Sequence, residues 1–214
     1  MELVDERQIS PLVLTVVFLF IVVAGSYGLV HILNPSQLTV NRYFWYMERA
    51  AGLTAYQLLS LTVILGLTVR SSVWDRLRAR KVMTQVHQFA SLLVLPFIAL
   101  HLWGIHQDSS VPFTWLQVFV PLQSSYRTLA TSLGTLSLYG VLVIVISSYL
   151  RPKISVNTWR AIHYASFPVF ILVTAHGLWS GTDSTAPWAM WFYMVPALTF
   201  LALVIKRFDR RTVR

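Results

Sequence analysis

The sequence contains no cysteine. Without it there are no disulfides, no thiolate-held iron–sulfur clusters and no covalent cofactor link through a C-x-x-C-H motif. Charge is also scarce: 12% of the 214 residues are charged, against about 25% in an ordinary soluble domain. Acidic residues are the scarcer sign, 8 against 17 basic ones, which leaves a net charge of +9. The segment Met1 to Ser10 lacks the basic leader and small-residue cleavage pattern of a signal peptide, so the first apolar run is expected to be retained. Internal repeats and low-complexity stretches are absent, as is any G-x-G-x-x-G or other nucleotide fingerprint. What fills the sequence is apolar: 56% of it is hydrophobic and 14% aromatic. Lipid as the solvent accounts for that balance. The basic excess does not point to nucleic acid. It is gathered in short clusters between apolar runs, the pattern that sets orientation in a membrane.

About 20 apolar residues in helical form cross the hydrocarbon core. Six segments are long enough: Pro11–Leu33, Ala50–Val69, Val82–Trp103, Leu129–Leu150, Trp159–Trp179 and Pro187–Ile205. A backbone in lipid must satisfy its own hydrogen bonds, so each is expected to be a helix. The fold class expected is an all-α, six-helix transmembrane bundle, a single domain over residues 1–214. Charge gives the orientation. Five basic residues lie between Arg70 and Lys81, three between Arg151 and Arg160, and five between Lys206 and Arg214; with Arg7 these make fourteen of the 17 on one side. Only Arg42, Arg49 and Arg127 fall on the other. The positive-inside rule then puts both termini in the cytoplasm. Trp45, Trp103, Trp179, Trp188 and Trp191 mark the outer boundary, and Trp74 and Trp159 the inner one. The outer loop Gly104–Arg127 has an apolar centre, Pro112–Pro121, too short to cross. It reads either as an interfacial segment or as a loop packed on the bundle.

Six histidines are present, and an ionisable group inside a membrane is a functional candidate by default. His87 and His101 share the third span, 14 residues apart; His163 and His176 share the fifth, 13 apart. Both spans run from inside to outside, so His87 and His163 match in inner depth, and His101 and His176 in outer depth. Fourteen residues at about 1.5 Å each is roughly 21 Å, which leaves room for one planar macrocycle per leaflet. Imidazole is a good axial ligand for haem iron. Two facing spans would supply each of two stacked b-type haems with two imidazoles, a ligation that favours electron transfer over oxygen binding. Rotation adds a demand. At about 100° per residue a step of 14 returns within about 40° of its starting face, but a step of 13 misses by about 140°. The fifth span therefore needs a bend or local unwinding, for which Pro168 is the candidate; Pro96 lies similarly between His87 and His101. The alternatives are histidines that hydrogen-bond across helices for packing alone, or a metal such as zinc. Zinc wants about four ligands close together, and each level here offers two.

At these residues the chain resembles the ferric reductase-like transmembrane domain family, which includes the membrane halves of eukaryotic ferric reductases and NADPH oxidases. It also includes the haem-binding membrane subunit of the bacterial periplasmic methionine sulfoxide reductase system. The likeness covers roughly Arg49 to Asp183. It is carried by the histidine spacing, by Arg49-Ala-Ala-Gly52, by Trp159-Arg160-Ala-Ile-His163 and by His176-Gly-Leu-Trp-Ser-Gly-Thr-Asp183, the last closest to the bacterial branch. The resemblance implies two non-covalent b haems, electron flow from the cytoplasmic face outwards, and a bacterial inner-membrane location. Eukaryotic members continue into a flavin- and nicotinamide-binding domain, whereas this sequence ends nine residues after Ile205. Electrons are therefore expected from a partner flavoprotein, a bound flavin or quinol, and the acceptor is ferric iron, oxygen or a periplasmic redox protein. A non-redox haem-binding subunit of a larger membrane complex is the rival class.

Anionic haem propionates need partners. Arg49 and Arg127 are the candidates at the outer haem, Arg160 and Arg80 at the inner one; headgroup contact and snorkelling are the alternative for each. Gly52, Gly134 and Gly177 admit a macrocycle or a neighbouring helix. His106 reads as lining the outer route or as an exposed loop residue, and His31 is not expected to be a ligand. Asp183 is expected to order the outer turn.

Overall fold

The computed structural model describes residues 37–212 continuously, together with Val17, Phe20, Ile21, Ala24, Gly25 and Gly28, which are helical. Most of the first expected span, Pro11–Leu33, lies outside the described residues, as do His31 and Arg7. The chain forms α1 (Gln37–Thr68), α2 (Ser72–Arg76), α3 (Arg80–Gln107), α4 (Trp115–Phe119), α5 (Thr128–Tyr149), a 3₁₀ turn (Arg151–Lys153), α6 (Val156–Tyr164), α7 (Ser166–Ser180) and α8 (Pro187–Thr212). Among the described residues, five helical stretches are long and apolar enough to cross a membrane: Arg42–Thr68, Arg80–Gln107, Thr128–Tyr149, Val156–Ser180 and Pro187–Arg207. The protein is thus an all-α, multi-spanning integral membrane bundle. Its outer surface is what lipid requires: Phe89, Leu129, Leu136, Ile171 and Leu198 are all exposed, an arrangement a soluble bundle would bury.

α1 begins well before its apolar run. Its 32 residues reach about 48 Å, against about 30 Å of hydrocarbon, so the polar stretch with Arg42, Glu48 and Arg49 rises past the core. The fifth span is not one helix. α6 ends at Tyr164 and α7 begins at Ser166, with Ala165 between them. The cause is Pro168, which has no N–H for the carbonyl of Tyr164 and whose ring crowds that carbonyl. The chain tightens instead into a turn in which Ala165 N–H donates to Ile162 O at 3.0 Å, and the ladder resumes with Val169 N–H to Ala165 O at 3.0 Å. Pro96 sits in an uninterrupted α3.

α1 packs along α3, α5 along α7, and α8 against α1 and α7. Lipid is as apolar as leucine, so close packing and internal hydrogen bonds hold such helices together. Small hydroxyl residues are buried at the seams and turn their donors onto the backbone: Ser60 to Tyr56 O at 2.7 Å, Ser137 to Leu133 O at 2.7 Å, and Thr135 to Val118 O at 3.0 Å. The α8 seam is aromatic. Tyr56 stacks on Phe170 with ring centres 5.8 Å apart, and its hydroxyl donates to Tyr193 O at 3.1 Å. The Tyr193 ring lies on Gly177, where a Cβ would stand 2.5 Å from Cε1. Gly177 therefore serves helix packing. α4 joins the two readings of its loop: Thr114 and Gln117 cap it reciprocally, Val118 is buried against α5, and Trp115, Leu116 and Phe119 are exposed.

Candidate functional site

α3 and the α6–α7 pair carry the four histidines. They are not among the closely packed pairs of described helices; they face each other across a gap, and the imidazoles point into it. The ring centres of His87 and His163 are 6.2 Å apart, with planes at 67°. Those of His101 and His176 are 6.4 Å apart, with planes at 76°. The pairs are the two matched in depth along the sequence. The turn at Ala165 interrupts the helix between His163 and His176, and both face α3 despite their 13-residue separation. Here inner denotes the level of His87 and His163, beside the basic loops, and outer the level of His101 and His176.

Each ring's second nitrogen decides what the first can do. His87 Nδ1–H donates to Thr62 O at 2.9 Å, His101 Nδ1–H to Glu48 O at 2.7 Å, and His176 Nδ1–H to Ala130 O at 2.8 Å. A carbonyl only accepts, so the proton must be on Nδ1 and the lone pair on Nε2. Three rings are thereby fixed as Nε2 donors, the arrangement found around metal-bound histidines. Ser180 adds a hydroxyl 3.0 Å from His176 Nδ1. The fourth differs: His163 Nδ1 is buried without a hydrogen-bond partner, and Trp159 stacks on its ring at 5.0 Å. Arg151 lies over the other partner in that stack, 4.8 Å from the Trp159 ring centre. Among the described residues no group of three or more His, Asp or Glu is placed to hold a metal ion.

The outer pair lines a cavity of about 350 Å³ that runs toward mid-membrane between Leu59, Val94, Val141 and Val173. Its lining includes Glu48, Asp108 and Asp183 against one guanidinium, Arg49. Arg49 sits 3.8 Å over the Trp45 ring and donates to Thr182 at 2.5 Å and to Asp183 at 2.7 Å. Its Nε is buried and unpartnered. Arg127 is not among the lining residues. Its backbone is left-handed, φ 40°, at the start of α5, and its side chain donates to Trp179 O at 2.7 Å, clamping the end of α7. Of the inner candidates, Arg160 is exposed and Arg80 is ion-paired with Asp75. His106 stacks on Trp115 at 4.2 Å and donates through Nδ1–H to Phe113 O at 2.9 Å. Asp183 orders its turn through its carbonyl, which accepts from Ala186 N–H at 2.9 Å.

Two facing pairs of half-buried imidazoles inside a polytopic bundle, the outer pair lining a cavity, define a membrane protein with an internal site between α3 and the α6–α7 pair. The chain belongs to the family described as ferric reductase like transmembrane component, whose model matches residues 51–174, more than half its length. The match includes His87, His101 and His163 and stops two residues before His176. No curated protein and no solved structure matches the chain.

Proposed function

We propose that this chain is a membrane haem b subunit that conducts electrons from a donor on the basic, cytoplasmic side to an acceptor on the outer face. The separation of the imidazoles carries the reading. Two metal–nitrogen bonds of about 2.0–2.1 Å, with about 1.1 Å from each nitrogen to its ring centre, span about 6.3 Å; the ring centres stand 6.2 and 6.4 Å apart. The residues fit the group: three Nδ1–H groups are tied to carbonyls, which leaves Nε2 to the iron, and the outer pair opens on an apolar cavity. His87 and His163 would hold the inner haem, His101 and His176 the outer one. Arg49, whose Nε is free in the cavity lining, would meet a propionate. Bound haem would supply a one-electron couple at each level; His87 and His101 stand about 21 Å apart along α3.

The chain's own part is to orient and to insulate. Val94, Val141 and Val169 pack together between the two levels and keep water out of the path. The basic loops Arg70–Lys81 and Arg151–Arg160 present an anion-attracting face suited to an acidic flavoprotein or a flavin, with quinol the alternative donor. The test is haem content and pairing. Two haems per chain are expected, extractable by acid-acetone because no cysteine can bond them. His87→Ala and His163→Ala should remove one common component in redox titrations, and His101→Ala and His176→Ala the other. A fully loaded protein with one haem or none, or a component shared by His87 and His176, would defeat the proposal.

A further inference from the structure

Three of the four histidines rest on a glycine. A Cβ on Gly52 would stand 2.9 Å from Nδ1 of His101, one on Gly66 3.3 Å from Cε1 of His87, and one on Gly134 2.6 Å from Cε1 of His176. In each case the carbonyl that accepts from Nδ1–H belongs to the residue four before the glycine: Glu48, Thr62 and Ala130. The coincidence has a helical cause. A helical side chain covers the turn on the N-terminal side of its own Cα, and so shields the carbonyl four residues back. Glycine uncovers that carbonyl, and its second lone pair can take a donor from the neighbouring helix.

Gly52 and Gly66 are 14 residues apart, as are His101 and His87 on the facing helix. On α5, stepping from Gly134 by the 13 residues that separate His176 and His163 arrives at Ser147. Ser147 is buried, and its hydroxyl is committed to Ile144 O at 3.0 Å. By the same helical rule its Cβ would cover the carbonyl that a glycine would expose. His163 lies beyond the bend and is the histidine whose Nδ1 has no partner.

We infer that Gly52, Gly66 and Gly134 are positioning residues, each forming with the carbonyl one turn before it a seat that locks one histidine as an Nε2 donor. His163, which has no seat, is the ligand held least firmly. This rests on the haem reading above. A hydrogen bond from Nδ1–H raises the basicity of the ligating nitrogen, and losing such a partner weakens metal affinity roughly 10–100-fold.

The purified holoprotein tests both halves by low-temperature EPR, optical spectra and carbon monoxide. Two low-spin components are expected in the wild type, assigned by which one His101→Ala removes. Absence of haem would remove this inference together with the reading beneath it. Gly52→Ala and Gly134→Ala should each perturb the outer component alone, and Gly66→Ala the inner alone; the untouched component reports that the chain is folded. Carbon monoxide added to the reduced wild type should act on the inner component first, at roughly 10–100-fold lower concentration. Carbon monoxide would replace His163 Nε2 at the iron, one two-electron ligand exchanged for another with no change of oxidation state. Should an alanine variant lose both components, the carbon monoxide result on the wild type decides. Unchanged spectra in all three variants, or carbon monoxide acting first on the outer component, on both alike or on neither, overturns the seats while two haems still stand.

Discussion

To hold the proposed haems, each of the four histidines would have to present Nε2 to the iron and keep its ring from turning. The backbone does the second task through Nδ1 at His87, His101 and His176. The two rings of each pair stand nearly crossed, at 67° and 76°. Crossed imidazole planes leave the two iron orbitals that overlap the ligand π systems close in energy. Strongly anisotropic low-spin ferric signals are therefore expected at both levels. X-band EPR of the oxidised protein checks this, and a pair of ordinary rhombic signals would show that the planes turn parallel when haem binds. The arginines divide differently. Arg49 faces the cavity, while Arg127 spends its guanidinium on the carbonyl at the end of α7.

At the scale of elements, the divided fifth span is the piece that makes the site. Without the break at Ala165, a 13-residue step would put His163 about 140° off the face that holds His176. Pro168→Ala restores an N–H for Tyr164 O and removes a helix-interior proline, a change on the order of 3 kcal/mol toward a straight helix. The expected outcome is loss of the inner haem with the outer one retained, a fall to about half the wild-type content by pyridine haemochrome assay. Full inner occupancy in that variant would mean that packing of α6 and α7 against α5, and not the proline, holds the bend. α1 is the complementary element. It carries no ligand, yet it supplies two of the three carbonyls and packs along α3, so its register with α3 sets two rings at once.

At the scale of the molecule, charge separates the two faces. Eight basic residues, in the loops Arg70–Lys81 and Arg151–Arg160, flank the His87–His163 end, while the lining of the cavity at the other end includes Glu48, Asp108 and Asp183. A soluble acidic donor is therefore expected to reduce the haems only from the basic side. That rate should fall as salt rises, since exposed charges are screened over about 10 Å at 0.1 M. Haem reduction in oriented vesicles, with donor on one side at two ionic strengths, measures it. Equal, salt-independent reduction from both faces, or reduction by quinol alone, would favour donation from within the bilayer.

The linear sequence was enough to show a lipid-embedded helical bundle, because about 20 apolar residues in a row have one stable form in hydrocarbon. It also paired the histidines by depth, because rise per residue is constant along a helix, and it required a bend or local unwinding between His163 and His176, because rotation per residue is constant too. Its reach ended where two helices meet. Gly66 draws no notice in the sequence, although it repeats Gly52 at the histidine spacing, since only the contact of α1 with α3 turns that spacing into a seat. The carbonyls of Glu48, Thr62 and Ala130 carry no residue-type signal at all, because every residue has one. Which of them is uncovered, and which ring reaches it, depends on interhelical register, a property of the packed bundle and of no single segment.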